Sequence, residues 1–112
     1  MRLLLLIEAA VFLLAASAHL GWTVTGYEHM RAATAESVIA AVLLLGFILS
    51  VAIPDRIRAI GMTAQIFALL GTVIGVVMVA IGVGPQTGPD MIYHALMLIL
   101  LCTGIWIYTA KR

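Results

Sequence analysis

The sequence predicts an all-α fold: an integral membrane, antiparallel four-helix transmembrane bundle with its N- and C-termini cytoplasmic. Three observations predict it. Of 112 residues, 64% are hydrophobic and 10% charged, where a soluble domain carries about 25% charge. The apolar residues gather in four runs, Leu3–Val24, Ala33–Ile53, Ile60–Val83 and Ile92–Tyr108, and a bilayer-spanning helix needs roughly 17–25 residues. The basic residues divide unevenly between the two ends of an up-and-down bundle. Arg2, Arg56, Arg58, Lys111 and Arg112 fall on one side and Arg31 on the other. The positive-inside rule makes the crowded side cytoplasmic. Residues 1–112 then form a single transmembrane domain, with helices at about 3–24, 34–53, 60–83 and 90–109. The expected location is a bacterial cytoplasmic membrane, and the first partner is the lipid bilayer.

The first run carries two polar residues, Glu8 and His19, eleven positions apart. On a helix that is about 16 Å of rise and three turns, so both side chains share a face. Ala16-Ser17-Ala18 resembles a signal-peptide cleavage site, but Glu8 interrupts the apolar segment such a peptide needs. The run is expected to remain as a helix.

In the second run, Thr34 is placed to cap the helix and Glu36 sits favourably in the first turn. Pro54-Asp55 ends it. The third run has a small-residue stripe: Gly61, Ala64, Ala68, Gly71, Gly75, Met78 and Gly82 recur at spacings of three and four. Such stripes let helix backbones approach closely in lipid. Gly71-x-x-x-Gly75 reads either as a homodimer seam or as an intramolecular contact. Gly84-Pro85 closes this helix, and Gly88-Pro89-Asp90 opens the fourth with proline and an acid in its first turn. Trp22, Tyr27, Trp106 and Tyr108 lie near the expected membrane interfaces, as an aromatic belt does. Cys102 is the one cysteine, so the chain forms no internal disulfide. A net charge of +1 with no basic patch leaves nothing to bind nucleic acid.

Each helix places a polar residue on a face that otherwise reads as core. The faces are Glu8, Ala15, His19 and Trp22; Glu36, Ala40, Leu43, Phe47 and Ser50; Gln65 and Thr72; and His94, Met97, Leu101, Gly104 and Tyr108. Ionisable groups inside a membrane cost several kcal/mol and face the bundle interior. The expectation is a pocket in the extracytoplasmic half lined by His19, Glu36 and His94. Glu8 lies beneath it, with Gln65 at a comparable level. Glu28 and His29 read as solvated loop and Asp90 as a helix-start residue.

Three chemistries suit the trio. His19, Glu36 and His94 can ligate a divalent transition metal. The same groups can move protons. His19 and His94 alone can be the cofactor-binding axial ligands of a b-type haem. In a catalytic reading Glu8 or Glu36 is the general acid/base, acting on a small lipophilic ligand such as a quinone or isoprenoid-like lipid. The alternatives are a proton-coupled transporter using Glu8 and a non-catalytic subunit of a larger membrane complex.

The second helix, Glu36-Ser-Val-Ile-Ala-Ala-Val-Leu-Leu-Leu-Gly46, followed by the basic turn Pro54-Asp-Arg56, resembles the DoxX-like four-helix membrane proteins over about a third of the chain. That resemblance implies a link to quinone-dependent redox chemistry. In length, helix count and the first-helix glutamate, here Glu8, the chain is also similar to the small multidrug resistance transporters. It departs from them in its outer histidines and in its later helices.

Overall fold

A computed structural model describes residues 1–110. Lys111 and Arg112, which enter the charge asymmetry above, lie outside the described residues. Every described element is helical: α1 Arg2–His19, α2 Met30–Ala52, a short 3-10 turn Pro54–Arg56, α3 Ile57–Ala80 and α4 Gly88–Ala110. All four α-helices are long and apolar enough to cross a membrane, and the chain is an integral membrane protein. The longest dimension is 43 Å, close to the roughly 40–45 Å of a bilayer with its headgroups.

The helix ends differ from the sequence expectation for local reasons. α1 stops at His19, short of Val24, because Gly21 takes a left-handed conformation with φ 76°. The Gly21 N–H reaches Ala18 O at 3.0 Å and the Trp22 N–H reaches Ser17 O at 2.9 Å. That pair of bonds is the glycine-terminated Schellman motif. α3 ends the same way at Ala80, before Gly84-Pro85. Gly82 has φ 81°, its N–H reaches Val79 O at 3.2 Å, and the Val83 N–H reaches Met78 O at 2.9 Å. α2 starts at Met30, four residues before Thr34. His29 caps it by accepting from the Ala32 N–H at 3.2 Å, while Thr34 Oγ1 donates within the helix to Met30 O at 2.9 Å.

α1 packs on α2, α2 on α3 and α3 on α4. α1 and α4 approach less closely and meet through long side chains. The Phe12 and Tyr93 rings stand edge to face, 6.2 Å apart, and the Tyr108 hydroxyl donates to Met1 O at 3.0 Å. Leu5, Phe12, Leu43, Met97, Leu101 and Tyr108 form the centre, all 2% exposed or less. Outward faces carry exposed Leu, Ile and Val, as a lipid-facing surface should. Lipid is as apolar as these side chains, so helix association rests on close packing and interhelical hydrogen bonds rather than on escape from water.

The small residues of α3 are spent inside the molecule. A Cβ added at Gly46 of α2 would lie 2.9 Å from the Ala64 Cβ, which marks the α2–α3 approach. One added at Gly71 would lie 2.8 Å from Ile39 Cδ1, and one at Gly75 would lie 3.1 Å from His94 Nε2. Gly71 and Gly75 thus meet side chains of α2 and α4 within the molecule, and these contacts give the Gly71/Gly75 homodimer seam no support.

Candidate functional site

At the end of the bundle where α1 stops and α2 and α4 begin, three ionisable side chains meet. His19 Nδ1 lies 2.7 Å from Glu36 Oε2, and His19 Nε2 lies 2.9 Å from Asp90 Oδ1. The three residues are 4%, 5% and 6% exposed. Their positions follow from local structure. His19 is the last residue of α1. Glu36 is in the second turn of α2 and Asp90 in the first turn of α4. Thr87 pins Asp90 further by donating its hydroxyl to Oδ2.

The arrangement constrains protonation. An ionised carboxylate only accepts, while a neutral imidazole offers one donor and one acceptor. A ring bonded to a carboxylate at each nitrogen therefore shares two protons with them. Either His19 carries both, or one sits on a carboxyl oxygen.

Beside this trio, α2, α3 and α4 enclose a cavity of about 300 Å³. Its walls are mainly apolar or small, including Phe12, Ile39, Ile74 and Met78. Glu36, Thr72, Tyr93 and His94 supply polar groups, with His29 and Arg31 also on its boundary. The buried Tyr93 hydroxyl has no hydrogen-bond partner. His94 Nδ1 lies 2.7 Å from Asp90 O; a carbonyl only accepts, so this nitrogen donates. In the neutral ring Nε2 is then an acceptor. His29 Nδ1 accepts from Ala32, so its Nε2 donates to Val83 O at 3.2 Å, tying the start of α2 to the α3–α4 connection.

Glu36 and His94 line the cavity as the sequence suggests, whereas His19 stands outside it, behind Glu36. Two site residues were missed. Asp90, read as a helix-start residue, completes the trio. Its signal was available, because it lies one turn before His94 on the stripe Met97, Leu101, Gly104 and Tyr108 continue. Tyr93 lies off that stripe and had no such signal. His29, read as solvated loop, is the α2 cap.

The geometry gives no support to the metal reading. Among the described residues no three His, Cys, Asp or Glu side chains are grouped to hold a metal ion. His19 has both nitrogens engaged by carboxylates, Glu36 on one side and Asp90 on the other.

Glu8 forms a second polar contact nearer the other end. It is 0% exposed, as is Gln65, whose amide nitrogen donates to Glu8 Oε2. Glu8 is not among the residues lining the cavity. Gly104 makes room for this pair; a Cβ there would lie 2.6 Å from Gln65 Oε1. Glu8 Oε1 and the amide oxygen of Gln65 are buried without a partner. Gln65→Leu is therefore expected to destabilise the protein by about 1–3 kcal/mol, since it strips a buried acceptor of its donor. Glu8→Gln, which keeps a polar partner for the amide, should cost less. Denaturation in mixed micelles orders the two, and the reverse order would refute this account of the pair.

No family model, no curated protein and no solved structure matches this chain.

Proposed function

We propose that the protein is a membrane-embedded binder of a small lipophilic molecule, quinone or isoprenoid-like, whose polar head meets Glu36, Tyr93 and His94. The observation that carries this reading is the cavity: about 300 Å³ with mainly apolar walls and a buried Tyr93 hydroxyl left unpaired. Ligand pockets have this size and make-up, with a few placed polar groups to fix orientation. Tyr93 offers a donor and the neutral His94 ring an acceptor at Nε2, which suits a head bearing a hydroxyl or carbonyl oxygen. Glu36 is the acid/base group at the same wall. The DoxX-like resemblance of α2 agrees with a quinone-class ligand.

The proposed setting is an antiparallel bundle in a bacterial cytoplasmic membrane, with both termini cytoplasmic. Supporting this, Arg2 Nε donates to Ser50 O at 3.0 Å and Arg58 to Thr109 O at 3.4 Å. These contacts gather the starts of α1 and α3 with the ends of α2 and α4. Arg31 is at the other end, beside the cavity. The cavity then opens on the extracytoplasmic half.

The test is titration of the purified protein in lipid nanodiscs with decylubiquinone, decylubiquinol and geranylgeraniol, read by calorimetry. Saturable binding of at least one is expected. Ala35→Trp, which fills the cavity from its α2 wall, should abolish binding without changing helix content. Tyr93→Phe should weaken it about fivefold, the worth of about one hydrogen bond. If none of the three probes binds the unaltered protein, this reading fails.

A further inference from the structure

We propose that Glu36, His19 and Asp90 form a proton relay joining the cavity to the water-facing end of α4. The inference rests on the reading of the cavity as a ligand site and deepens it: the bound molecule would be one whose head takes up or releases a proton.

The argument begins with where the chain of hydrogen bonds starts and stops. Glu36 lines the cavity. His19, behind it, bonds Glu36 through Nδ1 and Asp90 through Nε2, at 2.7 and 2.9 Å. Asp90 does not line the cavity. Its other oxygen meets Thr87, in the exposed stretch Gln86 to Pro89 that joins α3 to α4. The two ends of one continuous chain thus reach different surroundings, a cavity with mainly apolar walls and the exposed connection before α4.

Simple structural tying explains this poorly. Three ionisable side chains have been brought almost wholly out of water, at several kcal/mol each. Amides or hydroxyls would link the same helices at lower cost. What the ionisable groups add is the ability to pass a proton. Histidine is the side chain suited to this near neutral pH, because it gains a proton at one ring nitrogen and releases one at the other.

The step balances. In the inward direction the O–H bond of a protonated Asp90 breaks as an N–H bond forms at His19 Nε2. The N–H bond at Nδ1 breaks as an O–H bond forms on Glu36, and Glu36 then protonates the head. Asp90 is left ionised and His19 is neutral before and after, in exchanged tautomers. In the outward direction Glu36 takes a proton from the head and passes it to Nδ1, and Nε2 returns its proton to Asp90 and so to water. One proton crosses per half-cycle, and the return passage restores the first arrangement.

The groups around the relay are few. The His29 ring, from the α1–α2 connection, lies 6.4 Å from that of His19. Tyr93 and His94 face the cavity from α4, and Arg31 borders it from α2. The α3 residues of the cavity wall, Thr72 among them, carry no ionisable group.

The relay is tested without any ligand. Protein labelled with 15N-histidine, in nanodiscs, is transferred to D2O and exchange at the two His19 ring nitrogens is followed by NMR. Asp90→Asn keeps an acceptor for Nε2 but cannot carry a proton. It should slow exchange at Nδ1 by roughly a hundredfold, the usual worth of a positioned acid/base group. Ala35→Trp, which closes the cavity, should leave that rate unchanged. An unaltered rate in Asp90→Asn overturns the relay, as does slowing by Ala35→Trp alone, which would mean that protons enter through the cavity. Should Asp90→Asn fail to fold, the unaltered protein decides. The relay requires Nδ1 and Nε2 to exchange at similar rates, and protection of Nδ1 beyond about a hundredfold refutes it. Failure of the probes to bind, by contrast, removes the ligand reading and leaves this measurement standing.

Discussion

Replacing His19 by leucine is expected to destabilise the protein by about 3–5 kcal/mol, the cost of removing one partner from a buried charged network. Glu36 and Asp90 are 5% and 6% exposed, and each is bonded to a different nitrogen of the same ring. Leucine fills the space but offers no donor. Two carboxyl groups on α2 and α4 then remain in the bundle without the side chain that joins them. The chain must protonate them, hydrate the site or open the ends of the helices. Leaving the ring and changing a carboxyl is milder. Asp90→Asn keeps an acceptor, so it should cost clearly less than His19→Leu. The double change His19→Leu with Glu36→Gln should recover part of the loss, because it also removes one of the stranded carboxylates. Unfolding in mixed micelles measures all of these. A His19→Leu protein as stable as the original would show that the three side chains do not form this network.

Gly61→Ala is expected to be the most damaging of the alanine substitutions along α3, although it adds one methyl group. A Cβ at this position collides with the ring of Tyr108, and would lie 2.6 Å from its hydroxyl oxygen. Tyr108 is 0% exposed and is anchored by its bond to Met1 O, so the ring has nowhere to retreat. Overpacking of a close-packed interior costs about 1–3 kcal/mol, and displacing the ring adds about 1 kcal/mol for its hydrogen bond. Gly71→Ala is the control. Its obstacle is Cδ1 of Ile39, the flexible end of a side chain, which can turn away. Thermal unfolding should place Gly61→Ala well below Gly71→Ala. Equal stabilities would mean that α3 and α4 do not approach at Gly61 as described.

Much of this architecture can be read directly from the amino acids. The four spans follow from composition, because a run of some twenty apolar residues has few soluble uses. The buried faces of α2, α3 and α4 follow from period. Glu36, Ala40, Leu43 and Ser50, Gln65 and Thr72, and Met97, Leu101, Gly104 and Tyr108 are buried, while Phe47 and His94 of the same stripes are half-buried. α1 was harder. The period carries its face through Trp22, which is 78% exposed and lies past the end of the helix. Hydropathy carries no mark at Gly21, where a single positive φ ends the helix inside an apolar run. The glycine two places beyond His19 was the available sign.

The pairing of polar groups was less legible than their presence. A polar residue in an apolar span announces that it must be shielded, and so Glu8, His19, Glu36, Gln65 and His94 could be picked out. Which of them meet depends on the rotation and depth of each helix, and these are set by packing between helices. The sequence suggests similar depths for His19 and His94, yet His19 turns to Asp90 and Glu36 while His94 bonds the Asp90 carbonyl and faces the cavity. The α3 stripe teaches the same lesson. Its spacing says that something approaches closely, and it is equally compatible with a second copy of the chain and with Ile39, His94 and Tyr108 of this one.

Local hydropathy and period mark the four spans and the polar residues that must be hidden, and both can be read along the chain. That His19 bridges two carboxylates rather than facing the cavity, that Glu8 pairs with Gln65, and that Tyr93 stands unpaired beside an open volume emerge from how the helices pack. A hydrogen bond a few ångströms long answers to the azimuth and height of two helices at once. Neighbouring side chains supply that information, and it appears nowhere in the order of residues along one helix.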